Sequence, residues 1–127
     1  EAQTAIDKNV ELVRKTMPEV AGIPFDYDEA SIEWLDGYIN RMREEFDGDP
    51  GRLGQVLASY IGESIRRKYG GRWVEAEDGI GVEIRPDFVA FPFNKVSKQF
   101  ENGPEDSVLS FYQSIQVLLD ETNAPTH

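Results

Sequence analysis

The chain has 127 residues, 39% of them hydrophobic, with seven Phe, five Tyr and two Trp, and this size and composition are typical of one domain with its own core. Its 24 acidic and 13 basic residues give a net charge of −11, which disfavours binding to nucleic acids and to anionic membranes because both present negative phosphates. The absence of cysteine excludes disulfides, thiolate catalysis and cysteine-ligated metals.

A helix and a loop are predicted over residues 1–27. Apolar residues recur at helical spacing at four positions: Ile6, Val10, Val13 and Met17. They predict a helix over residues 4–17 that ends at Pro18, and Gly22 and Pro24 predict a loop after it. Three side chains are expected to pin that loop to the core: Ile23, Phe25 and Tyr27.

Two amphipathic helices are predicted between residues 28 and 70. Asp28 is suited to cap the first helix, which Asp47-Gly48 ends. The apolar stripe of this helix has five members: Ile32, Leu35, Ile39, Met42 and Phe46. Asp49-Pro50 predicts the start of the second helix, with Asp as N-cap and Pro in the first turn, and Gly70-Gly71 predicts its end through left-handed conformations.

The second of these helices carries a stripe of small residues, Gly54, Ala58 and Gly62, at i, i+4 and i+8. Each glycine costs about 1 kcal/mol of helix stability relative to alanine. Two glycines on one stripe therefore suggest that another backbone passes very close. Trp73 is predicted to anchor the sheet in this groove as a core residue, in preference to serving as an exposed anchor for a partner.

A three-stranded antiparallel meander is predicted after this helix, with strands over residues 72–77, 81–85 and 88–91. Asp78-Gly79 and Pro86-Asp87 are turn signals between the strands. Pro92 ends the third strand, because proline cannot donate to a strand ladder.

Two helices are predicted at the C-terminal end of the chain. Asn94 is suited to cap a short helix that Asn102-Gly103 breaks, and Pro104 is expected to start the last helix. Residues 122–127 are expected to form a frayed tail that includes the only histidine, His127. A catalytic triad, a histidine base and a histidine-rich metal site are therefore excluded.

Together these elements predict an α+β fold in a single domain over residues 1–127, with the small antiparallel meander packed against N- and C-terminal helices. The predicted core has fifteen members: Leu35, Ile39, Met42, Val56, Leu57, Ile61, Ile65, Trp73, Val82, Ile84, Phe88, Phe91, Phe111, Ile115 and Leu118.

Glu63 is the acid with the most informative position. It follows Gly62 on the buried helix, so one interpretation is a partly buried carboxylate in a pocket. The other is a surface acid paired with Arg66 or Arg67 at i+3 or i+4, which we favour because such helical pairs are frequent.

Two lysines complete the set of candidate binding residues. Lys95 and Lys98 lie three apart on one helix face and could receive an anion, although exposed lysines often have this spacing. The candidate binding residues are Tyr60, Glu63, Trp73, Lys95 and Lys98. No catalytic residue, cofactor or metal is predicted.

Four acids surround the first hairpin of the meander: Glu75, Glu77, Asp78 and Glu83. Their oxygens suit calcium, but the spacing lacks the ligand loop that organises six or more oxygens around the ion. We therefore favour a solvated acidic hairpin over a metal site.

Several motifs between Leu53 and Gly103 resemble those of a family of small bacterial domains of unknown function. They stand in this order: Leu53-Gly54 with Tyr60-Ile61-Gly62-Glu63, Gly70-Gly71-Arg72-Trp73-Val74, Asp78-Gly79, Ala90-Phe91-Pro92-Phe93, and Lys95-Val96 with Lys98. The resemblance implies a bacterial α+β domain and no particular reaction. Size, charge and fold class are also similar to those of small acidic bacterial immunity proteins, which neutralise toxins by binding them.

We therefore expect a non-catalytic protein-interaction or accessory domain, immunity-like. The net charge would attract a partner with a basic surface, although we favour the interpretation that acidity serves to keep the protein in solution. The alternative is a small-ligand-binding protein or enzyme with a pocket around Glu63, Trp73 and Lys95. A cytoplasmic location is expected, although a signal peptide could have been removed ahead of Glu1.

Overall fold

The computed structural model describes residues 2–47 and 49–123, with side chains described as far as residue 120. Within those residues the chain forms an α+β fold, as predicted. Its elements are, in order, α1 (Ala2–Ala21), α2 (Glu29–Phe46), α3 (Arg52–Tyr69), β1 (Arg72–Ala76), β2 (Gly79–Arg85), β3 (Phe88–Ala90), α4 (Pro92–Asn102), a 3₁₀ turn (Gly103–Asp106) and α5 (Val108–Asn123).

Helix α1 continues past Pro18, so the predicted end of this helix is wrong. Proline cannot donate to the preceding turn, yet Met17 and Ala21 pack against the core and hold the last turn in place. The helix ends at Gly22, which has a φ of 73° and donates its N–H to the carbonyl of Pro18 at 2.8 Å. The loop after it is pinned as predicted, with Phe25 buried.

Asp28 caps α2 as predicted, since its carboxylate accepts the N–H of Ser31 at 3.3 Å. The predicted cap of α3 is wrong. Asp49 instead accepts the N–H of Gly51 at 3.2 Å. Gly51 occupies the N-cap position, and α3 begins at Arg52. Gly51 has a φ of 57° and a ψ of −129°, and only glycine adopts this backbone conformation readily. The chain therefore turns at Gly51 before the helix can start.

Helix α3 is the central element, and every residue from Val56 to Ile65 is buried. Side chains fill its small-residue stripe, where the sequence suggested a backbone. A Cβ at Gly62 would contact the Trp73 ring and lie 2.8 Å from the Pro92 Cγ. A Cβ at Gly54 would lie 2.6 Å from the Pro50 Cγ. Trp73 therefore does rest on the stripe, at Gly62.

The end of α3 is partly as predicted. Gly70 adopts the left-handed conformation, with a φ of 70°. Gly71 lies outside that region, and its role is close approach, since a Cβ there would lie 2.7 Å from the carbonyl oxygen of Glu83 on β2.

The three strands form the predicted antiparallel meander, in the order β1-β2-β3. Trp73 pairs with Val82, and Glu75 pairs with Ile80. Strand β2 begins at Gly79, two residues before the predicted start, while β1 and β3 each end one residue early. Strands β1 and β3 are the two edges of this sheet.

The predicted starts of the last two helices are wrong. Helix α4 begins at Pro92, and the Asn94 amide donates instead to the carbonyl of Asp78 in the first hairpin, at 3.3 Å. Pro104 lies in the 3₁₀ turn. Residues 122 and 123 belong to α5, and residues 124–127 lie outside the described part of the chain, so the predicted frayed tail stays a prediction.

Side chains of other helices determine where α5 begins. The Asp36 carboxylate of α2 accepts the Ser107 hydroxyl at 2.6 Å and the N–H of Leu109 at 3.2 Å. The buried Gln99 of α4 accepts the N–H of Val108 at 2.8 Å and donates to the Asp36 carbonyl at 3.1 Å. The first N–H groups of α5 are thus satisfied by α2 and α4.

The core agrees with the prediction at most positions. Eight predicted members are buried: Leu35, Ile39, Val56, Leu57, Ile61, Ile65, Val82 and Ile115. Five more are partly buried and pack against the core: Met42, Trp73, Ile84, Phe88 and Phe111. Phe91 is partly buried. Leu118 is 46% exposed, so its assignment is wrong, because the face of α5 set by Tyr112 and Ile115 brings Leu119 inward instead.

Membrane insertion of a helix is not indicated in the described part of the chain. No helix there is long and apolar enough to cross a bilayer.

Candidate functional site

The carboxylate of Glu63 lies at the junction of α3 and β1, where four N–H groups converge on it. Arg66 donates through Nε at 2.9 Å and Nη2 at 2.7 Å, and Arg67 donates through Nε at 3.0 Å. The Trp73 indole donates at 3.1 Å. Glu63 is only 7% exposed. The carboxylate pairs with both arginines, as the favoured interpretation had it, but it is buried, so its assignment to the surface is wrong.

The same contacts fix the charge of Glu63. Burial alone would raise the pKa of the carboxyl, but the hydrogen bonds from Arg66, Trp73 and Arg67 outweigh it and lower the pKa to about 2. The group is therefore ionised at neutral pH. A general acid or base works best with a pKa near the working pH, so this environment suits a structural carboxylate.

Tyr60 is fully buried one turn before Glu63 on α3. Its hydroxyl accepts the N–H of Tyr27 at 2.8 Å and shares a hydrogen bond with the Ser31 hydroxyl at 2.7 Å. Burial raises the pKa of this phenol. Tyr60 therefore acts within the core, where it ties the loop before α2 to α3.

Tyr27 is the residue of this region that sequence reasoning did not single out for the site. Its φ is 64°, in the left-handed region that residues with side chains rarely adopt. Its ring stacks on Tyr60 at 5.6 Å between centroids, and the Arg67 guanidinium lies 4.0 Å from its centroid. The ring of Phe25, by contrast, is tilted against Tyr60. No sequence pattern signals a left-handed tyrosine.

The two candidate lysines are held by a different part of the molecule. Lys95 pairs with Asp106 at 3.1 Å, and Asp106 also accepts the Asn102 amide at 2.7 Å. Lys98 is exposed on the same helix. The described contacts of Lys95 therefore lie with the 3₁₀ turn, whereas those of Glu63 lie with α3 and β1.

Two small cavities flank the junction of Glu63 and Trp73. The first, of about 200 Å³, is lined by Asp7, Val10, Glu11, Tyr27, Glu63 and Arg67. The second, of about 250 Å³, is lined by Ala2, Gln3, Ile6, Trp73, Val74, Glu75 and Ile80. Both are below the roughly 300–1,000 Å³ of a typical small-molecule site.

The acids of the first hairpin stay apart. Glu83 pairs with Arg72 at 2.9 Å, while Glu75, Glu77 and Asp78 are exposed. Among the residues that the structure describes, no group of three or more acidic or histidine side chains is arranged to hold a metal ion.

Comparisons with known proteins bring no identification. No protein-family model, curated protein or solved structure matches this chain.

Proposed function

We propose that this protein is a non-catalytic interaction domain, of an accessory or immunity-like kind, that binds a protein partner through a basic surface of that partner. The observation that carries the proposal is the tip of the β1–β2 hairpin, where Glu75, Glu77 and Asp78 are exposed. Within the described residues, none of these three carboxylates has an ion pair. They give one end of the sheet a concentrated negative field, which attracts a basic surface.

The chemistry of Glu63 favours the same proposal. The best placed carboxylate of the chain accepts four donors and has a pKa of about 2. It is thus occupied in joining α3 to β1. Lys95, which the alternative hypothesis places near it, pairs with Asp106. This arrangement favours a role in stability over one in catalysis.

Affinity capture with a matched control tests the proposal. The bait is the full chain, and its variant carries Glu75→Lys, Glu77→Lys and Asp78→Lys. The control carries the same charge change on exposed acids of α2, at Glu33, Glu44 and Glu45. Captured proteins are identified, purified and measured in binary binding against all three chains.

The proposal expects a partner that binds the unaltered chain and the α2 control, with an affinity that falls as salt rises. The hairpin variant is expected to bind this partner at least tenfold more weakly, which corresponds to a loss of about 1.4 kcal/mol in binding free energy. Equal binding by the hairpin variant, or the absence of any partner that binds in purified form, would overturn it.

A small-ligand-binding protein or enzyme remains a second candidate, favoured by one observation. Glu63 and Arg67 line the cavity of about 200 Å³ beside Tyr27, so a small charged molecule could reach groups of both signs. A fragment screen that follows amide shifts by NMR tests it. Saturable shifts of residues lining this cavity would support it, and shifts scattered over the surface would contradict it.

The kinship of this chain also stays a proposal. We infer a relation to small bacterial domains of unknown function from the motifs between Leu53 and Gly103. A cytoplasmic location stays a prediction as well.

A further inference from the structure

We propose that the partner binds as an extended basic segment that adds a strand to the free edge of β1 and places one apolar side chain in the cavity beside Trp73. The inference rests on the proposed function and specifies its partner. An exposed strand edge offers unpaired backbone groups, and adding a strand there is an established mode of peptide recognition.

The second cavity lies next to β1, an edge strand of the sheet. Strand β1 ends the sheet order and, among the strands that the structure describes, pairs only with β2. The cavity of about 250 Å³ touches three consecutive β1 residues, Trp73, Val74 and Glu75. Successive side chains of a strand point to opposite faces, so Trp73 and Glu75 share one face of the sheet. Ile80 of β2 pairs with Glu75 and also lines the cavity. The cavity therefore lies over this face, beside α1, where a side chain of a strand added to β1 could enter it.

The lining of this cavity is part apolar and part polar, with Gln3 and Glu75 as its polar members, and the apolar part suits one apolar side chain. Ile6, nearly fully buried, and the partly buried Trp73, Val74 and Ile80 provide apolar walls. Gln3 stands at the α1 side, where its amide donates to Asp7 at 2.9 Å. The volume is below that of a typical small-molecule site, which favours a side chain of a peptide over a separate ligand.

The charges along β1 favour a basic segment as the added strand. Arg72, at the start of β1, is paired with Glu83. Glu75, Glu77 and Asp78, at its other end, are exposed. A segment running along β1 therefore meets uncompensated negative charge at the hairpin end. A second copy of this chain would bring its own three carboxylates and a net charge of −11, so self-pairing is disfavoured and lysine or arginine is favoured.

Peptide binding to the full chain provides the test. The probe is a peptide of about seven residues that alternates lysine with valine or leucine, a length close to that of a typical strand. A second peptide has the same sequence with alternate backbone amides N-methylated, which removes donors on one edge and keeps the charge. Amide shifts by NMR locate binding, and the fluorescence of Trp73 in a Trp34→Phe background measures the affinity.

Two variants with a matched control complete the design. Gln3→Phe places a ring at the mouth of the cavity without adding a tryptophan, and Glu75→Lys with Glu77→Lys reverses the charge of the hairpin. The control is Glu44→Lys with Glu45→Lys on α2, which makes the same charge change on exposed acids. Thermal unfolding establishes that each variant is folded before binding is measured.

We expect shifts in residues 2–6 and 72–82, with binding at least about tenfold weaker for the N-methylated peptide and for both variants, and unchanged within about twofold for the control. Equal affinity for the N-methylated peptide, or shifts elsewhere, would overturn strand addition. A dimer seen by sedimentation whose interface is β1 would overturn the basic occupant.

The two proposals fail separately. If no such peptide binds, yet a folded basic partner is captured in a way that depends on the hairpin, strand addition is wrong and the proposed function stands. If neither binds, both are wrong.

Discussion

Glu63 links its own helix α3 to β1 and, through Arg67, to the loop that carries Tyr27. Its carboxylate accepts hydrogen bonds from Arg66 and Arg67 of the same helix and from the indole of Trp73 on β1. The Arg67 guanidinium also lies over the ring of Tyr27. Removing one member of a buried charge pair leaves the others without a partner, which costs more than the pair itself contributes.

We predict that Glu63→Gln lowers the free energy of unfolding by about 2 kcal/mol near neutral pH, the scale of hydrogen bonds to a charged group. The native pKa of about 2 lies below the ordinary 4.5. A lowered pKa stabilises the folded state above the ordinary pKa, and the contribution is lost as pH falls through the native pKa. The difference between the two proteins should therefore shrink between about pH 4.5 and about pH 2, as measured by urea unfolding.

The matched control for this experiment is Glu33→Gln, since Glu33 is exposed on α2. It is expected to change the unfolding free energy by less than about 0.5 kcal/mol. A Glu63→Gln difference that stays constant from neutral to acid pH would contradict the assignment of the lowered pKa.

At the scale of elements, the contact between α3 and β1 depends on a missing side chain. The Trp73 ring and Pro92 occupy the space that a Cβ on Gly62 would need. An element as central as α3 tolerates the low helix propensity of glycine here because the close approach buries the indole against the helix.

We predict that Gly62→Ala destabilises the protein by about 1–3 kcal/mol, the range for overpacking a core. Gly37→Ala in α2 is the matched control, because a Cβ there would meet only the end of the Arg41 side chain, at 3.2 Å from Nη1. A flexible side chain can move away, so this substitution should stabilise the helix by up to about 1 kcal/mol.

Urea unfolding of the two glycine variants measures both effects. Opposite signs are expected from the same chemical change at two helical positions. A Gly62→Ala protein as stable as the Gly37→Ala protein would show that β1 can move away from α3 at no cost.

The ends of the helices show how far local sequence determines an element. Asp28 caps α2 as predicted because its bond to Ser31 is local. Pro104 does not start α5, since Asp36 and Gln99 from other helices satisfy the first N–H groups of that helix. Pro18 does not end α1, because residues after it pack against the core. Tertiary contacts override local helix propensity when the two favour different helix ends.

At the scale of the whole molecule, the helices and the sheet share one buried core that runs from Ile6 in α1 to Leu119 in α5. This core folds against the repulsion of a net charge of −11. A large net charge destabilises the compact state. Salt weakens that repulsion, because it shortens the range of interaction between exposed charges from about 30 Å at low ionic strength to about 8 Å near physiological strength.

We predict that the free energy of unfolding rises with sodium chloride over this range, as measured with urea, which adds no ions. The comparison variant is Glu44→Lys with Glu45→Lys. Each substitution changes the net charge by +2, so the variant has a net charge of −7 instead of −11. This variant should show a smaller dependence on salt. A stability of the unaltered protein that falls on adding salt would contradict the prediction.

The sequence alone determined the fold class, the meander and the order of the elements, because the period of apolar residues and the turn residues are local properties. It also indicated the pairing of Glu63 with Arg66 and Arg67, since residues three and four apart on a helix are neighbours wherever the helix lies. The buried faces of α2 and α3 followed from the same periodicity.

Only the tertiary structure decided which groups from different elements meet. The hydrogen bond from Trp73 to Glu63 depends on how β1 crosses α3 at Gly62. The ion pair of Lys95 with Asp106 and the cavity between α1 and the sheet are likewise contacts between different elements. Such contacts depend on how elements that are distant in the chain pack together. The spacing of residues along one element carries no information about that packing.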